Sequence, residues 1–572
     1  MSAVWVLNNT RTWLRSLSGV GLALGFLFFA ASLTPTLIPR TYFMQGVLAG
    51  ACLGVGYALG VFWRWLWRYL ELPEPSTHTR FVVNCVVTAA GAGIALYCLA
   101  MSAAWQNSIR SAMNMTPVDT AHPIKLSIVA LLAFFVLLLL TRLFLIVTRY
   151  LTELIRIFIP RRIANVIAIA LTAIFFWSIG NNLLFHSILS ALDSSYRRFD
   201  ALIEPDSPRP TEASKTGSVA SLVRWEELGR AGREFVASSP SAQEIAAFTG
   251  RPARQPIRVY VGLRGAETAA QRAALALDEL KRQGGFERSV LVVITPTGTG
   301  WIDPSAMGPV EYLHDGNIAS VAVQYSYLSS PLSLLVQPEY GDESARALFA
   351  AIYKFWTTLP KDERPKLYLH GLSLGSFNSE KSIELFETIG DPIQGAVWSG
   401  PPFSNRIRQS VTANRNADSP AWRPTFRDSR IVRFMNQNGP AIPNSAPWGP
   451  LRVVYLQYAS DAIALFGYRY AFRSPDWMNA PRGSDVSHEL HWYPLVTMLQ
   501  LAADMAFSTT TPMGVGHVYA PEHYVDAWLA VTDVRHWSPD KIATLKSHLA
   551  RIARLPVEHP TPNEAPYNNR GG

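Results

Sequence analysis

The sequence predicts two regions living in two solvents: a multi-span α-helical membrane domain, followed by a mostly parallel sheet with helices on both faces. Three observations carry that prediction. Of the 572 residues 49% are hydrophobic and only 16% charged, well below the usual quarter, and the apolar excess is concentrated between residues 18 and 190. Within that stretch lie five apolar runs, each about long enough to cross a bilayer as a helix. From Ile257 onward, short apolar strands alternate with helical spacing, the pattern of a sheet covered on both sides.

The five expected spans run near Ser18–Ile38, Met44–Trp63, Phe81–Met101, Leu126–Val147 and Ile163–Leu184. Arg142 stands near one end of the fourth, within snorkelling reach of the headgroups. Glycines at 46, 50, 54, 56 and 60, and at 91 and 93, suit close helix packing. A re-entrant or interfacial segment is the competing reading for any one stretch. The first resembles a signal peptide, with Arg11 and Arg15 ahead of it and Phe29-Ala30-Ala31-Ser32 behind, but its apolar run is long and more spans follow, so it is expected to be retained. Basic residues set the orientation. Arg11, Arg15, Arg64, Arg68, Arg80, Arg149, Arg156, Arg161 and Arg162 flank one side; Arg40, Arg110 and Lys125 flank the other. The arginine-rich side, with the aromatic belt Trp63, Trp65, Trp67 and Tyr69, is expected to face the cytoplasm. With an odd number of spans, the C-terminal domain then lies outside it, anchored in the cell membrane.

The formal charge of +9 does not point to a nucleic-acid partner, because much of it sits in loops beside spans. Cys52, Cys85 and Cys98 all lie in apolar segments, which leaves the soluble half without a disulfide framework, zinc ribbon or cysteine nucleophile. The expected organisation is a cytoplasmic segment over residues 1–17, a membrane domain over 18–190, a linker over 191–256, a catalytic domain over 257–555 and a flexible tail over 556–572. Pro205, Pro208 and Pro210 mark the linker as turn-rich, with a short helix expected over Arg224–Phe235.

Strands are expected at Ile257–Gly262, Ser289–Thr295, Ile318–Tyr325, Lys366–His370, Gln394–Trp398 and Arg452–Tyr458, and helices at Ala266–Arg282, Glu343–Thr358 and from Leu374. The run Ser289–Thr295 is apolar throughout, as in a strand buried on both faces. The sharpest chemical signal is Gly371-Leu372-Ser373-Leu374-Gly375, which follows a strand at once and opens a helix. A serine on so tight a turn needs very small neighbours two positions away. In return its hydroxyl projects clear of the sheet, above a helix N-terminus that favours developing negative charge. A serine nucleophile needs a base, and the base an orienting acid, in the chain order Ser, acid, His. Asp461 follows a strand in Tyr458-Ala459-Ser460-Asp461; Asp476 and Asp485 lie in loops with no strand before them. His517, in Gly514-Val515-Gly516-His517, is the expected base; His523 lies within a helix, and His488 and His491 come too early. For the oxyanion hole the expected donors are the N–H of Leu374 and amides of the loop Thr295–Trp301: Thr297, Gly298, Thr299 or Gly300. That loop lacks Walker spacing. His488-Glu489-Leu490-His491 has the wrong spacing for a zinc helix motif, so no metal or other cofactor is expected. Trp398-Ser399-Gly400-Pro401-Pro402 either lines an acyl pocket or ends its strand.

These segments together resemble a bacterial family of membrane-anchored α/β-hydrolases, with an N-terminal multi-span domain and a C-terminal hydrolase domain. The resemblance rests on Ser32-Leu33-Thr34-Pro35-Thr36-Leu37-Ile38-Pro39-Arg40, on Pro256–Gly262, on Thr295–Trp301 and on Gln324-Tyr325-Ser326-Tyr327-Leu328. It also rests on the elbow with Ser376 after it and on the Asp461 and His517 segments, and so covers nearly the whole chain. Leu372 stands where the family pattern has an acidic residue, and Ala462 where it has proline; the first bears on pocket shape. The resemblance implies an α/β-hydrolase fold, reaction class and topology. The expected activity is acyl-enzyme chemistry on a carboxylic ester, with a lipid or envelope ester as the substrate that a bilayer anchor favours. The competing class is a transport or flipping protein with an accessory or inactive hydrolase domain. Against it stands the absence of ionisable residues well inside the spans.

Overall fold

The computed structural model describes residues 18–180, 195–203, 208–328, 330, 332–333, 338–440 and 446–554. The expected N-terminal segment and C-terminal tail lie outside them. The helical region comprises α1 (Gly19–Ser32), α2 (Tyr42–Tyr69), α3 (Thr77–Ala112), α4 (Pro123–Ile155) and α5 (Arg161–Ser178). Four of these, α2 to α5, are long and apolar enough to cross a membrane. The first expected span is different. Its helix has 14 residues and stops at Ser32, because Pro35 has no N–H to donate and disfavours helical backbone at Thr34 before it. Residues 33–40 then run as an unwound segment, with Leu37, Ile38 and Arg40 buried. The end of the fifth expected span, beyond residue 180, falls outside the described residues.

Glycine spacing builds the bundle as expected. A Cβ on Gly50 would lie 2.4 Å from the Ala130 carbonyl oxygen of α4, and one on Gly60 would lie 2.6 Å from Gly21 Cα of α1. These helices approach nearly backbone to backbone. Trp63, Trp65, Trp67 and Tyr69 are exposed at the end of α2.

The C-terminal region is an eight-stranded sheet of order β1-β3-β2-β4-β5-β8-β6-β7. Its strands are β1 (Ile257–Val261), β2 (Val290–Thr295), β3 (Ile318–Val323), β4 (Lys366–Leu372), β5 (Gly395–Ser399), β6 (Val432–Asn436), β7 (Gly439–Pro440) and β8 (Arg452–Leu456). All pairs are parallel except β6 with β7. The sheet carries α6 (Gly229–Ala237), α7 (Ala242–Thr249), α8 (Ala269–Arg282), α9 (Pro304–Leu313), α10 (Pro338–Trp356), α11 (Leu374–Lys381), α12 (Arg406–Ala413), α13 (Ala462–Leu465), α14 (Val496–Ala506), α15 (Pro521–Thr532) and α16 (Pro539–Arg554).

Strands β1, β2, β3, β5 and β6 are buried along their whole length; in β2 this gives the unbroken apolar run expected of a strand covered on both faces, while β1 accommodates Arg258 by pairing it with Glu311 at 2.7 Å. Strand β6 went unpredicted; its Arg433 guanidinium is buried over the Trp448 ring at 3.7 Å. Much of the expected linker packs into the main core through Trp225, Leu228, Phe235, Val236 and Ile245. Gly232 of α6 lies so close to Tyr260 of β1 that a Cβ there would be 2.4 Å from the ring.

Candidate active site

Strand β4 lies centrally in the sheet, between β2 and β5, and Ser373 is the single residue joining it to α11. Its φ of +54° with ψ of −124° is a conformation that non-glycine residues rarely adopt. Packing on both sides holds it there. The Ser373 N–H donates to Ser399 O at 2.9 Å, and Ser376 Oγ donates back to Ser373 O at 2.7 Å. The flanking glycines are sterically required. A Cβ on Gly371 would stand 2.4 Å from Gly375 C, and one on Gly375 would stand 2.2 Å from Thr295 O.

Asp461 follows β8 after five residues and is fully buried. It caps α13, with Ile463 N–H donating to Oδ1 at 2.9 Å. Its Oδ2 lies 2.8 Å from His517 Nδ1 and accepts a second bond from the Tyr519 hydroxyl at 2.7 Å. Burial first, and the Asp461 charge second, hold the Tyr519 phenol well above its ordinary range, so it stays a donor to the carboxylate. The Asp461 contact at Nδ1 makes that nitrogen a donor and directs Nε2 away from the carboxylate. His517 Nε2 is buried and has no hydrogen-bond partner among the described residues.

The imidazole rests on Gly400. A Cβ there would lie 2.4 Å from His517 Cε1 and 3.0 Å from Nδ1. Ser399, whose carbonyl holds the Ser373 amide, is the residue before it, so serine and histidine lie against neighbouring residues of one strand end, with no hydrogen bond between them. The strand end Trp398–Pro402 therefore serves as the floor beneath the base.

The other titratable candidates have different work. Asp485 Oδ2 accepts from Ser460 N at 2.9 Å and Ser460 Oγ at 2.6 Å, and Ser460 Oγ in turn accepts from Gly516 N at 2.8 Å. Asp485 thus ties the acid loop to the histidine loop. Asp476 forms a loose, part-exposed ion pair with Arg415 at 3.7 Å. His523 Nδ1 lies 2.6 Å from the Tyr458 hydroxyl, and His491 Nδ1 lies 2.7 Å from its neighbour Glu489 O. Arg482 donates to the His488 carbonyl at 2.7 Å.

The loop after β2 divides the expected oxyanion donors. Thr297 N–H donates to Trp301 O at 3.0 Å, and Gly300 N–H to Thr297 O at 2.9 Å. Gly298 N–H donates to Ser330 Oγ at 3.0 Å. These three amides are engaged in holding the loop's own shape. Among the described residues the amides of Thr299 and of Leu374, at the first position of α11, make no such turn or loop bond.

Three contributors escaped the sequence reading. Tyr519 stands two residues after the histidine, and Gly400 was read only as part of a stretch that lines an acyl pocket or ends its strand. Asp303 is a buried carboxyl at the N-terminus of α9, 3.2 Å from the Tyr524 hydroxyl, which lies 2.6 Å from Ser399 Oγ. Burial pushes Asp303 up to about 6, against the bonds from Ser305 and Tyr524. The only signal for it was a carboxylate directly before Pro304, a helix-start pattern.

Comparison with known proteins agrees with this architecture in two parts. A family model described as an alpha/beta-hydrolase family matches residues 257–545. A second, described as the N-terminus of an alpha/beta-hydrolase family, matches residues 33–240. No curated protein matches the chain.

Proposed function

The chain belongs to an alpha/beta-hydrolase family, and on that premise we propose that it is a membrane-anchored serine hydrolase acting on carboxylic esters. One observation carries the reading. A histidine bonded through Nδ1 to a buried carboxylate keeps Nε2 free of other partners, one residue away from the carbonyl that holds the strained serine. A buried imidazole nitrogen without a partner is costly unless something is meant to bind it.

In the proposed cycle, Ser373 Oγ attacks the ester carbonyl carbon while Nε2 of His517 takes its proton. Asp461 stabilises the imidazolium, and Tyr519 keeps the carboxylate oriented. Amides of Leu374 and Thr299 stabilise the tetrahedral oxyanion. Collapse breaks the bond to the alkoxy oxygen, which leaves with the histidine proton, and water or a second alcohol then releases the acyl group by the same steps. The serine–histidine hydrogen bond, not made in the resting chain, forms as substrate enters, since catalytic hydrogen bonds are often long or poorly aligned before substrate binds.

The substrate class we infer is a lipid or envelope ester. Leu37, Ile38, Ile109 and Met113 of the helical region share one buried apolar cluster with Ala462, Ala464 and Leu465, which follow Asp461. An aromatic cluster, Phe403, Phe466 and exposed Tyr468, runs outward from beside Pro402. It offers an acyl chain an apolar path. The catalytic domain contacts the helix ends near Arg40 and Gln106, the arginine-poor side, which supports an extracytoplasmic site by the positive-inside rule. The decisive test is covalent labelling of the full-length protein by a fluorophosphonate. Labelling of the native chain that disappears in Ser373→Ala supports the reading; a folded native chain that takes no label, or a variant that labels equally, overturns it. Comparing cellular lipids with native and Ser373→Ala protein identifies the ester that accumulates.

A further inference from the structure

The unwound segment 33–40 and helix α14 meet around a fully buried ion pair. Arg40 Nη2 and Nε lie 2.7 and 3.0 Å from Asp504 Oδ1. The same carboxylate accepts from Thr36 Oγ1 and from Leu37 N, each at 3.1 Å. Arg40 Nη2 also donates to Gln500 O at 2.9 Å and Nη1 to Gln45 Oε1 at 3.0 Å, while Gln500 Nε2 donates to the carbonyls of Ser32 and Thr34, each at 3.2 Å. Around these bonds, Leu48 and Cys52 of α2 pack against Val496 of α14. Such a network fixes a register as well as a contact, because moving one member strands a buried charge.

From Asp504 the chain leads straight to the base. Helix α14 ends at Ala506, a single turn follows over Ser508–Thr510, and the His517 N–H donates to Ser508 O at 3.2 Å. Thr511 Oγ1 donates to Val515 O at 2.9 Å, so the histidine loop closes back on the end of that turn. The acid loop docks on the same helical region through α13, and Ser487, two residues after Asp485, lies 2.6 Å from Ser108 of α3 through their hydroxyls.

We propose that Arg40 and Asp504 are positioning residues for His517, so that the helical region is part of the catalytic apparatus as well as its anchor. This rests on the serine-hydrolase reading above. The pair registers α14 against the helices and thereby sets where the imidazole stands over Gly400. Misplacing a catalytic group by about 1 Å through a distant substitution costs as much as about 10²-fold in rate, which is the scale expected here.

The test uses full-length protein in lipid nanodiscs, assayed well below each variant's melting temperature with a short-chain soluble ester and with a fluorophosphonate. Arg40→Gln is expected to lower kcat by about 10²-fold and to slow Ser373 labelling by a matching factor, with KM little changed. Thr36→Val, which removes one bond to Asp504 and leaves the ion pair, is expected to give a smaller slowing of the same kind and covers the case in which Arg40→Gln does not fold. Arg40→Lys is expected to recover part of the loss, since it keeps the charge without the fork. If the native chain labels and both Arg40→Gln and Thr36→Val label at its rate while melting lower, the pair is only structural and the proposal falls with the hydrolase reading intact. The same holds if Arg40→Gln fails to fold and Thr36→Val labels at the native rate. If the native chain itself takes no label, both fall together.

Discussion

The proposed nucleophile and its two proposed partners are held in contrasting ways. Ser373 is fixed by segments adjacent to it in chain or sheet: β4 behind it, α11 ahead, β5 supplying Ser399 O and the β2 loop pressing on Gly375. Asp461 and His517 sit on loops tied to each other through Ser460 and Asp485, and the helix leading into the His517 loop carries Asp504, paired with Arg40 of the helical region. The strained element is made rigid by the sheet, and the elements that must accommodate substrate are anchored at their far ends. Such a division lets the loops shift slightly without relaxing the serine out of its unfavourable backbone.

The largest effect that could break this contrast is in the base itself. His517→Ala is expected to reduce kcat by about 10⁶-fold, as loss of nucleophile or base does in triad enzymes. Asp461→Asn should cost about 10⁴-fold, because it favours the wrong imidazole tautomer; both are read from ester turnover in folded protein. Gly375→Ala tests the rigid half. Its methyl would meet Thr295 O at 2.2 Å, and we expect fluorophosphonate labelling to slow by at least about 10²-fold, with the loops undisturbed. A normal labelling rate there would show the elbow to be more pliant than the contrast allows. Tyr519→Phe removes one of three bonds to the buried carboxylate, worth about 2 kcal/mol for a charged acceptor, and should lower kcat roughly tenfold.

Acid provides the mildest probe. His370, immediately before the elbow, is buried on β4 with Nδ1 2.8 Å from Val397 O. Burial lowers it from 6.5 to about 4, and the Val397 bond only partly opposes that. A histidine kept neutral in the fold favours folding above its unfolded value, and that advantage disappears as pH falls through its folded value. Between pH 6.5 and 4 this group therefore removes about 3 kcal/mol of stability. Asp303 acts the other way, since its raised value makes the fold relatively more stable as pH falls from 6 toward 3.8. Those two effects nearly cancel, but burial also lowers His314 from 6.5 to about 4, so denaturation at stepped pH should show stability falling through the acid range, and His370→Gln should flatten the slope by about one proton.

Much of this was legible in the sequence where structure is local. The strand–turn–helix around Ser373 was readable because its glycines, strand and helix are contiguous, and chain order in this fold singled out Asp461 and His517, which the structure brings within 2.8 Å of each other. The four long helices were readable from apolar length. What was not legible depends on distance. Asp504 is the single acid of an apolar helix, and its partner stands 464 positions away. Nothing in either neighbourhood names the other. The unwinding after Ser32 was present in Pro35 and Pro39, but the apolar run through Ile38 outweighed it in the reading. Trp225 and Phe235 looked like linker residues because turn-rich sequence surrounds them, although their burial is decided by β1 and the helices beside it.

The unwound segment 33–40 also constrains how such molecules are recombined. Grafting this catalytic unit onto a foreign anchor would bring Asp504 without its arginine and leave the Gln500 amide facing unfamiliar carbonyls. Exchange between relatives should therefore succeed only when residues 32–45 travel together with residues 496–517.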